Sequence, residues 1–237
     1  MIGLGTLINV ACVLAGGLVG MAGGRFITKR MQDAIMKSLA VCIMFVGISG
    51  ALEQMLAIEG THLATKGTAM MVISMSLGAV LGEVLDLDGK TVQLGEWLKR
   101  RSGSEDDNSF VNAFVTCSLT VSVGAMAIVG SIQDGVSGDW STLALKGAID
   151  ALLVCAMTAS MGRGCIFSAL PILVLEGGVT LLASALQPIF TEAALANLSL
   201  VGSLLIFCIG VNLIWPSTFK PANMLPAVII AALCAFF

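Results

Sequence analysis

Long apolar runs separated by short polar turns dominate the chain. Eight runs have lengths near the roughly 20 residues that an α-helix needs to cross a bilayer. They are residues 2–23, 34–52, 67–85, 110–131, 141–161, 165–187, 193–214 and 222–237. The last run is the shortest and contains Pro226. The pattern predicts an all-α polytopic membrane protein with eight transmembrane helices, forming a single integral membrane domain over residues 1–237.

Residues 86–109 form the longest polar stretch between these runs. Within it, residues 90–101 place Leu94, Trp97 and Leu98 on one face of a helix, with basic residues nearby. An apolar face flanked by cations is typical of a helix that lies in the membrane surface. The sequence therefore predicts an amphipathic surface helix at residues 90–101.

The composition agrees with a bilayer environment. Hydrophobic residues make up 57% of the chain and charged residues 11%, whereas soluble domains carry about 25% charged residues. The net charge of −3 argues against nucleic acid as a partner. The N-terminus lacks the basic region of a cleavable signal peptide, so the first apolar run is expected to remain.

The basic residues predict the orientation, because cytoplasmic loops carry an excess of lysine and arginine. With eight alternating spans, ten of the twelve basic residues fall on one side, and Lys66 and Lys146 fall on the other. This distribution places both termini outside and the basic loops in the cytoplasm.

Two short repeats relate the halves of the chain. The pentad "VLAGG" at residues 13–17 returns as "VLEGG" at 174–178, and "FVGIS" at 45–49 resembles "CIGVN" at 208–212. Spans 1–3 would then correspond to spans 6–8 with opposite orientation, around a central helix pair formed by spans 4 and 5. Inverted-topology repeats are common in secondary transporters. Chance similarity is the alternative, since valine, leucine and glycine are abundant here.

Two carboxylates, Asp150 and Glu176, occur at middle depth in predicted spans. Intramembrane acids are costly and commonly functional, which makes both candidate substrate- or ion-binding residues. Alternatively, Asp150 pairs only with Lys146 one turn earlier, and Glu176 is protonated against a backbone carbonyl. Lys146 itself is expected near the outer surface, where its long side chain can reach water.

Four uncharged residues complete the candidate binding site. Gly177 and Gly178, after Pro171, are expected to interrupt span six, as happens at many transport sites. The buried amides Asn9 and Asn212 could line a path, although hydrogen bonding between helices would explain them equally well.

Small residues at helical spacing predict close helix packing. Gly16, Gly20 and Gly24 form one such face, and Ser74, Gly78 and Gly82 form another. By analogy with other small transporters, we expect a homodimer. The seven cysteines form no C-x-x-C pair, and the chain has no phosphate-binding loop or hydrolase motif. We therefore expect no metal site, no cofactor and no enzymatic activity.

Four stretches together suggest a family. "GTLINVACVLAGGLVG" (5–20), "LGAVLGEVLDLDGK" (77–90), "VGAMAIVGSIQDGVSGD" (123–139) and "ANMLPA" (222–227) resemble the YqgA-like family of bacterial inner-membrane proteins, a domain of unknown function. The resemblance covers nearly the whole chain. It implies a multi-pass protein of the bacterial plasma membrane with a suspected transport role, and it brings no established substrate.

The most specific of these stretches lies near the outer end of span four. Its residues Gly124, Gly130, Gln133 and Asp134 are candidates for a gate or for the mouth of a cavity. A plain helix C-terminus capped by Gly135 is the alternative.

These observations favour a secondary transporter of a small solute or ion. A pocket with two acids and no mid-depth cation would favour cations or protons over anions as the coupling species. The rival hypotheses are a non-transporting membrane scaffold and an ion channel. Beyond the lipid bilayer, the expected partner is a small solute or cation.

The predicted orientation can be checked with reporter fusions. A reporter in the 86–109 loop should be cytoplasmic, and one in the 53–66 loop should be outside, because an odd number of spans separates them. Paired alkaline phosphatase and fluorescent protein fusions measure this directly. Equal locations for the two loops would contradict the arrangement.

Overall fold

A computed structural model describes residues 2–59, 62–122, 125–187 and 191–236. The helices in its first half are α1 (Leu4–Gly24), α2 (Lys29–Met55), α3 (Thr68–Leu85), α4 (Leu87–Arg101) and α5 (Phe110–Ser122). Those in its second half are α6 (Ala125–Ser137), α7 (Ser141–Met161), α8 (Ala169–Leu181), α9 (Ala183–Leu186), α10 (Glu192–Ile214), α11 (Pro221–Met224) and α12 (Pro226–Leu233). Two 3₁₀ helices cover Arg163–Ser168 and Cys234–Phe236. The prediction of a helical protein is confirmed.

One short hairpin departs from the all-α prediction. Strands β1 (Leu56–Glu59) and β2 (His62–Thr65) pair antiparallel between α2 and α3, with Ala57 opposite Ala64. The β-branched and apolar residues of this loop suit an extended pair.

Six helices in the described part of the chain are long and apolar enough to cross a membrane. They are α1, α2, α3, α7, α10 and the segment Arg163–Leu181. Helices α5 and α6 would add a seventh span if counted together, although their axes differ by 63°. The sequence predicted a straight span over 110–131; instead α5 ends at Ser122 and α6 continues to Ser137.

The eighth predicted span, 222–237, is not one long helix in the described residues. Pro221 and Pro226 each occupy the first turn of a short helix. Proline lacks the N–H that would continue an α-helix from the preceding turn, so α11 and α12 are separate. The count of eight spans stays a prediction.

The chain divides into two units. Unit 1 comprises residues 1–39, 89–122 and 126–187; unit 2 comprises 40–88, 123–125 and 188–237. Helix α4 covers the predicted surface helix, and its residues from Gly89 onward belong to unit 1.

In unit 1, α1 and α7 pack in parallel through glycine. A side-chain carbon at Gly16 would lie 2.2 Å from the carbonyl oxygen of Ala151, and one at Gly20 would lie 2.2 Å from that of Cys155. The two backbones therefore touch over successive turns. Without a hydrophobic drive between helices in lipid, such close contact supplies the packing energy.

The core of unit 1 surrounds this helix pair. Its fully buried side chains come from α1, α5, α7, α8 and the 3₁₀ turn before α8, and they include Val13, Cys117, Val154, Met157 and Ile172.

In unit 2, α3 packs against α11 and α12 through the second predicted small face. A side-chain carbon at Gly82 would lie 1.6 Å from the carbonyl oxygen of Asn223, and one at Gly78 would lie 2.3 Å from the nitrogen of Ala227. Gly47 of α2 and Gly210 of α10 also allow close contact between those two helices, since a side-chain carbon would lie 2.7 Å from the nitrogen of Phe207 at Gly47 and 2.6 Å from the Met44 side chain at Gly210. The predicted role of both small faces in helix approach is confirmed.

The predicted interruption of span six at Pro171 and at Gly177–Gly178 is wrong. Helix α8 runs unbroken from Ala169 to Leu181. Pro171 is its third residue, where backbone N–H groups have no partner within the helix, so proline costs little there. The actual breaks lie on either side, in the 3₁₀ turn Arg163–Ser168 and at Leu182.

The close α1–α7 contact yields a stability prediction. Gly20→Val should lower the free energy of unfolding by about 1–3 kcal/mol, because the new side chain meets a backbone carbonyl that cannot rotate away. The matched control is Gly23→Val in the same helix, since no atom lies within 4 Å of a side-chain carbon at Gly23. Thermal unfolding in detergent compares the two, and equal melting temperatures would contradict the packing.

Candidate functional site

Helix α7 carries a lysine and an aspartate one turn apart inside unit 1. Lys146 and Asp150 are 7% and 5% exposed, and the Lys146 ammonium pairs directly with the Asp150 carboxylate. The ammonium also donates to the carbonyl oxygen of Val121, at 2.8 Å. Val121 lies in the last turn of α5, where carbonyls lack helical partners and the helix dipole is negative. The Lys146 ammonium thus pairs with one carboxylate and also donates a hydrogen bond to a carbonyl at the end of α5.

Glu176 reaches the same ammonium from α8. Its Oε1 lies 3.4 Å from Lys146 Nζ and accepts a 2.7 Å hydrogen bond from the Asn9 amide of α1. Glu176 is 1% exposed and Asn9 is fully buried. Three of the predicted site residues, Asp150, Glu176 and Asn9, therefore meet around one lysine. We call Asn9, Lys146, Asp150 and Glu176 the charge cluster.

The expectation that Lys146 reaches the outer surface is wrong. Its side chain is buried and lies between two carboxylates. Both acids therefore have a cation beside them. The pairing of Asp150 with Lys146, which the sequence offered as the alternative for Asp150, is confirmed. The physical reason is that a buried charge is stabilised far more by a close partner than by a distant water layer.

The charge cluster is incompletely satisfied. Glu176 Oε2 and Asn9 Oδ1 are buried and have no hydrogen-bond partner among the described residues. With all groups ionised, two carboxylates and one ammonium give a formal charge of −1. Buried polar atoms without partners are rare and costly, so each one calls for an explanation.

A second group of polar contacts lies beside the start of α1. The Gly5 N–H donates to Asp134 Oδ2 of α6 at 3.0 Å, and the hydroxyls of Thr6 and Thr180 lie 3.3 Å apart. Asp134 is fully buried, and its other oxygen, Oδ1, has no hydrogen-bond partner in the part of the chain that the structure describes.

The remaining predicted residues have other surroundings. A side-chain carbon at Gly177 would meet only the Thr6 methyl, at 3.9 Å, and one at Gly178 would meet nothing within 4 Å. Asn212 belongs to unit 2, where it bonds both the N–H and the carbonyl of Phe219 and so shapes the turn after α10.

Of the four residues predicted at a mouth, three are described and Gly124 lies outside the described residues. Gly130 packs against Leu143, and the Gln133 amide oxygen accepts from the Thr142 hydroxyl at 2.7 Å. Gly135 does not cap the helix: α6 continues to Ser137, and Gly138 follows with a left-handed backbone (φ 71°).

Sequence reasoning gave the pairing of Lys146 with Asp150 only as an alternative, and it missed Thr6 and Thr180 as members of the site. The four-residue spacing of Lys146 and Asp150 was the signal for their pairing, because residues so spaced share one face of a helix. The Thr6–Thr180 contact joins residues 174 positions apart and had no local signature.

A pocket of about 490 Å³ lies at the opposite end of α7 in unit 1. Its lining includes Arg25, Gln32, Asp107, Thr158 and Arg163. Burial alone would raise the pKa of Asp107, but hydrogen bonds from Ser109 and the charge of Arg163 outweigh burial and lower it. Asp107 therefore stays a carboxylate under ordinary conditions and holds Arg163 at the rim.

Long apolar helices packed through glycine, with charges paired inside, define a polytopic helical membrane protein. Within that class, the chain belongs to the family described as "Protein of unknown function (DUF554)", which matches residues 4–236. This membership confirms the resemblance seen in the sequence.

Two relatives cover almost the whole chain. The uncharacterized membrane protein YdfK of Bacillus subtilis (strain 168) is 22% identical over 233 residues, which are 98% of this chain and 95% of the relative. The uncharacterized protein YqgA of Escherichia coli (strain K12) is 25% identical over 232 residues, covering 96% and 94%. No solved structure matches the chain.

The charge cluster predicts an unequal response to the loss of two lysines. Lys146→Met should cost about 3–5 kcal/mol of stability, because it leaves two carboxylates buried without a cation. Lys37→Met is the matched control: Lys37 also pairs with an acid four residues away, Asp33, but both are 65% exposed. Exposed pairs contribute less than about 1 kcal/mol.

A rescue separates charge from packing. Adding Asp150→Asn and Glu176→Gln to Lys146→Met removes the unpaired charge, so the triple variant should unfold at a higher temperature than the single one. No recovery in the triple variant would show that Lys146 acts by shape alone.

Proposed function

We propose that this protein is a proton-coupled secondary transporter of a small solute, with the charge cluster as its coupling site. The observation that carries the proposal is one buried ammonium shared by two carboxylates, with a carboxylate oxygen of Glu176 left without a partner. Buried ionisable residues in membrane helices are characteristic of ion and proton pathways.

Charge balance favours the uptake of one positive charge. The fully ionised cluster carries −1, and burying a net charge in a low-dielectric interior costs several kcal/mol. One proton on Glu176 Oε2 brings the cluster to neutrality and leaves the Lys146–Asp150 pair intact. Among the described residues, the charge cluster has two buried oxygens without a hydrogen-bond partner. A hard metal cation larger than a proton, such as Ca²⁺, prefers about six or more oxygen ligands.

We further propose eight spans with inverted repeats, an architecture that suits alternating access. Three antiparallel helix pairs support it. Within unit 1, Thr6 and Asn9 of α1 face Thr180 and Glu176 of α8 in reversed order. Each pair joins two segments that the repeat makes equivalent.

The other two pairs lie within unit 2. Gly47 and Gly210 bring α2 and α10 together, and Gly78 and Gly82 meet Ala227 and Asn223 in reversed order. Spans 1 and 6, 2 and 7, and 3 and 8 thus cross at small or polar residues. Within each unit, a pseudo-two-fold axis between the paired segments would produce this arrangement.

The principal rival is a scaffold in which the charge cluster only holds helices together. Full burial of the cluster and its close hydrogen bonds favour that function. A scaffold, however, gains nothing from an unpartnered carboxylate oxygen, which is costly in an apolar interior.

Electrical recording on solid-supported membranes tests the proposal. Proteoliposomes are exposed to rapid pulses of amino acids, organic acids, sugars and amines, with and without an imposed proton gradient. We expect a current for at least one solute class that grows with the gradient. Glu176→Gln should reduce that current by roughly 100-fold, because the coupling proton has no site.

Two controls distinguish the rivals. Glu83→Gln removes an acid that is 56% exposed and should leave the current unchanged. A current that flows without solute and follows voltage alone would indicate a channel. Absence of current for every class, with or without the gradient, would favour the scaffold.

A further inference from the structure

The polar contacts beside the start of α1 connect to the charge cluster within unit 1. Thr6 directly follows Gly5, the residue that donates to Asp134, and Asn9 lies one turn further along the same helix. On α8, Thr180 lies one turn after Glu176, on the same face. Polar side chains on α1 and α8 therefore follow one another along the helix axes at the roughly 5 Å spacing of helix turns.

Helix α6 is held against both partners at this level. Besides the Asp134 contact with α1, a side-chain carbon at Gly135 would lie 2.3 Å from the carbonyl oxygen of Thr180. The absence of a side chain at Gly135 lets α6 touch α8 where the threonine pair lies. Asp134 therefore contacts Gly5, the residue before Thr6, and its neighbour Gly135 contacts Thr180.

We propose that these residues form the proton path between the outer side and Glu176. We call them the polar file: Asp134, Thr6, Thr180 and Asn9. The inference rests on the proposed function and adds the route by which the coupling proton arrives.

Two independent buried groups point to exchange at the entrance. Asp134 and Ser131 are both fully buried, and they lie three residues apart on one face of α6. Asp134 Oδ1 and the Ser131 hydroxyl have no hydrogen-bond partner within the described ranges. A helix cap needs one carboxylate oxygen, and Oδ2 already supplies it through Gly5. Ser137, one turn further along α6, is exposed, so the entrance is close to the surface of the protein.

Hydroxyls suit such a path because each can accept one proton while giving up another. A proton binds Asp134 Oδ1 from outside and reaches a threonine hydroxyl through a water molecule, because Oδ1 has no hydrogen-bond partner among the described residues. That hydroxyl releases its own proton to the other threonine. A second water molecule carries a proton onward from there, and an O–H bond forms on Glu176 Oε2. Each O–H bond that forms is matched by one that breaks, so only the positive charge moves.

The surrounding charges do not compete with this route. Helices α1 and α5 carry no charged side chain. Helix α7 supplies Lys146 and Asp150, which are paired with each other, and α8 supplies Glu176. Among the described residues of unit 1 that pack around the polar file, Asp134 is thus the acid at its outer end.

Time-resolved infrared spectroscopy of proteoliposomes after an external pH jump tests the path. The carboxyl band lost in Glu176→Gln reports the protonation of Glu176. In the double variant Thr6→Val with Thr180→Val, that band should reach its full amplitude at equilibrium. It should form more slowly than in the parent protein, by roughly 10-fold at least. Asp134→Asn should slow it likewise, while its amide oxygen still caps Gly5.

Matched variants guard against loss of structure. Thr6→Ser with Thr180→Ser keeps both hydroxyls and should keep the rate. Thr120→Val, whose hydroxyl bonds only to its own helix at the Thr116 carbonyl, should also keep it. A valine pair or Asp134→Asn with the parent rate would overturn the path while leaving the proposed function standing. If the parent protein shows no band that depends on Glu176, the proposed function itself fails.

Discussion

The need to bury one ammonium among apolar helices governs unit 1. In a medium of low dielectric constant, the charge of Lys146 is tolerable only with close partners. Its partners come from three places: the next turn of its own helix, the last turn of α5 and the middle of α8. Asn9 extends the set to α1. A single side chain thereby fixes four helices at one depth.

Close backbone contact makes this arrangement possible. Gly147, beside Lys146, would place a side-chain carbon 3.0 Å from the Asn9 Cα, so α1 reaches the cluster because that position has no side chain. The contacts at Gly16 and Gly20 continue the approach along α1. In lipid, where apolar surfaces have no drive to leave the solvent, small residues and polar contacts are complementary means of holding helices together.

Much of the fold could be predicted from the sequence, because hydropathy and small-residue spacing are local properties. Helix α7 coincides with the predicted span 141–161, and both small faces pack as expected. The break between α5 and α6 was missed because the predicted span, residues 110–131, contains no proline and no change of hydropathy. In the site, Asp150 and Glu176 could be identified from the sequence because a carboxylate inside a membrane span is energetically costly. The position of Lys146 depended on Val121 and Glu176, which are remote in sequence, and a lysine near a span end is ordinarily expected to reach water.

The spacing of the partners along the chain has a consequence for biogenesis. Asn9 and Glu176 are 167 residues apart, so α1 enters the bilayer long before the helices it binds have been synthesised. During that interval α1 exposes one amide and no charge to lipid. The lysine and its aspartate leave the ribosome within four residues of each other, and the i,i+4 pair enters the translocon as a nearly neutral unit. Glu176 follows last, into a membrane that already contains its cation.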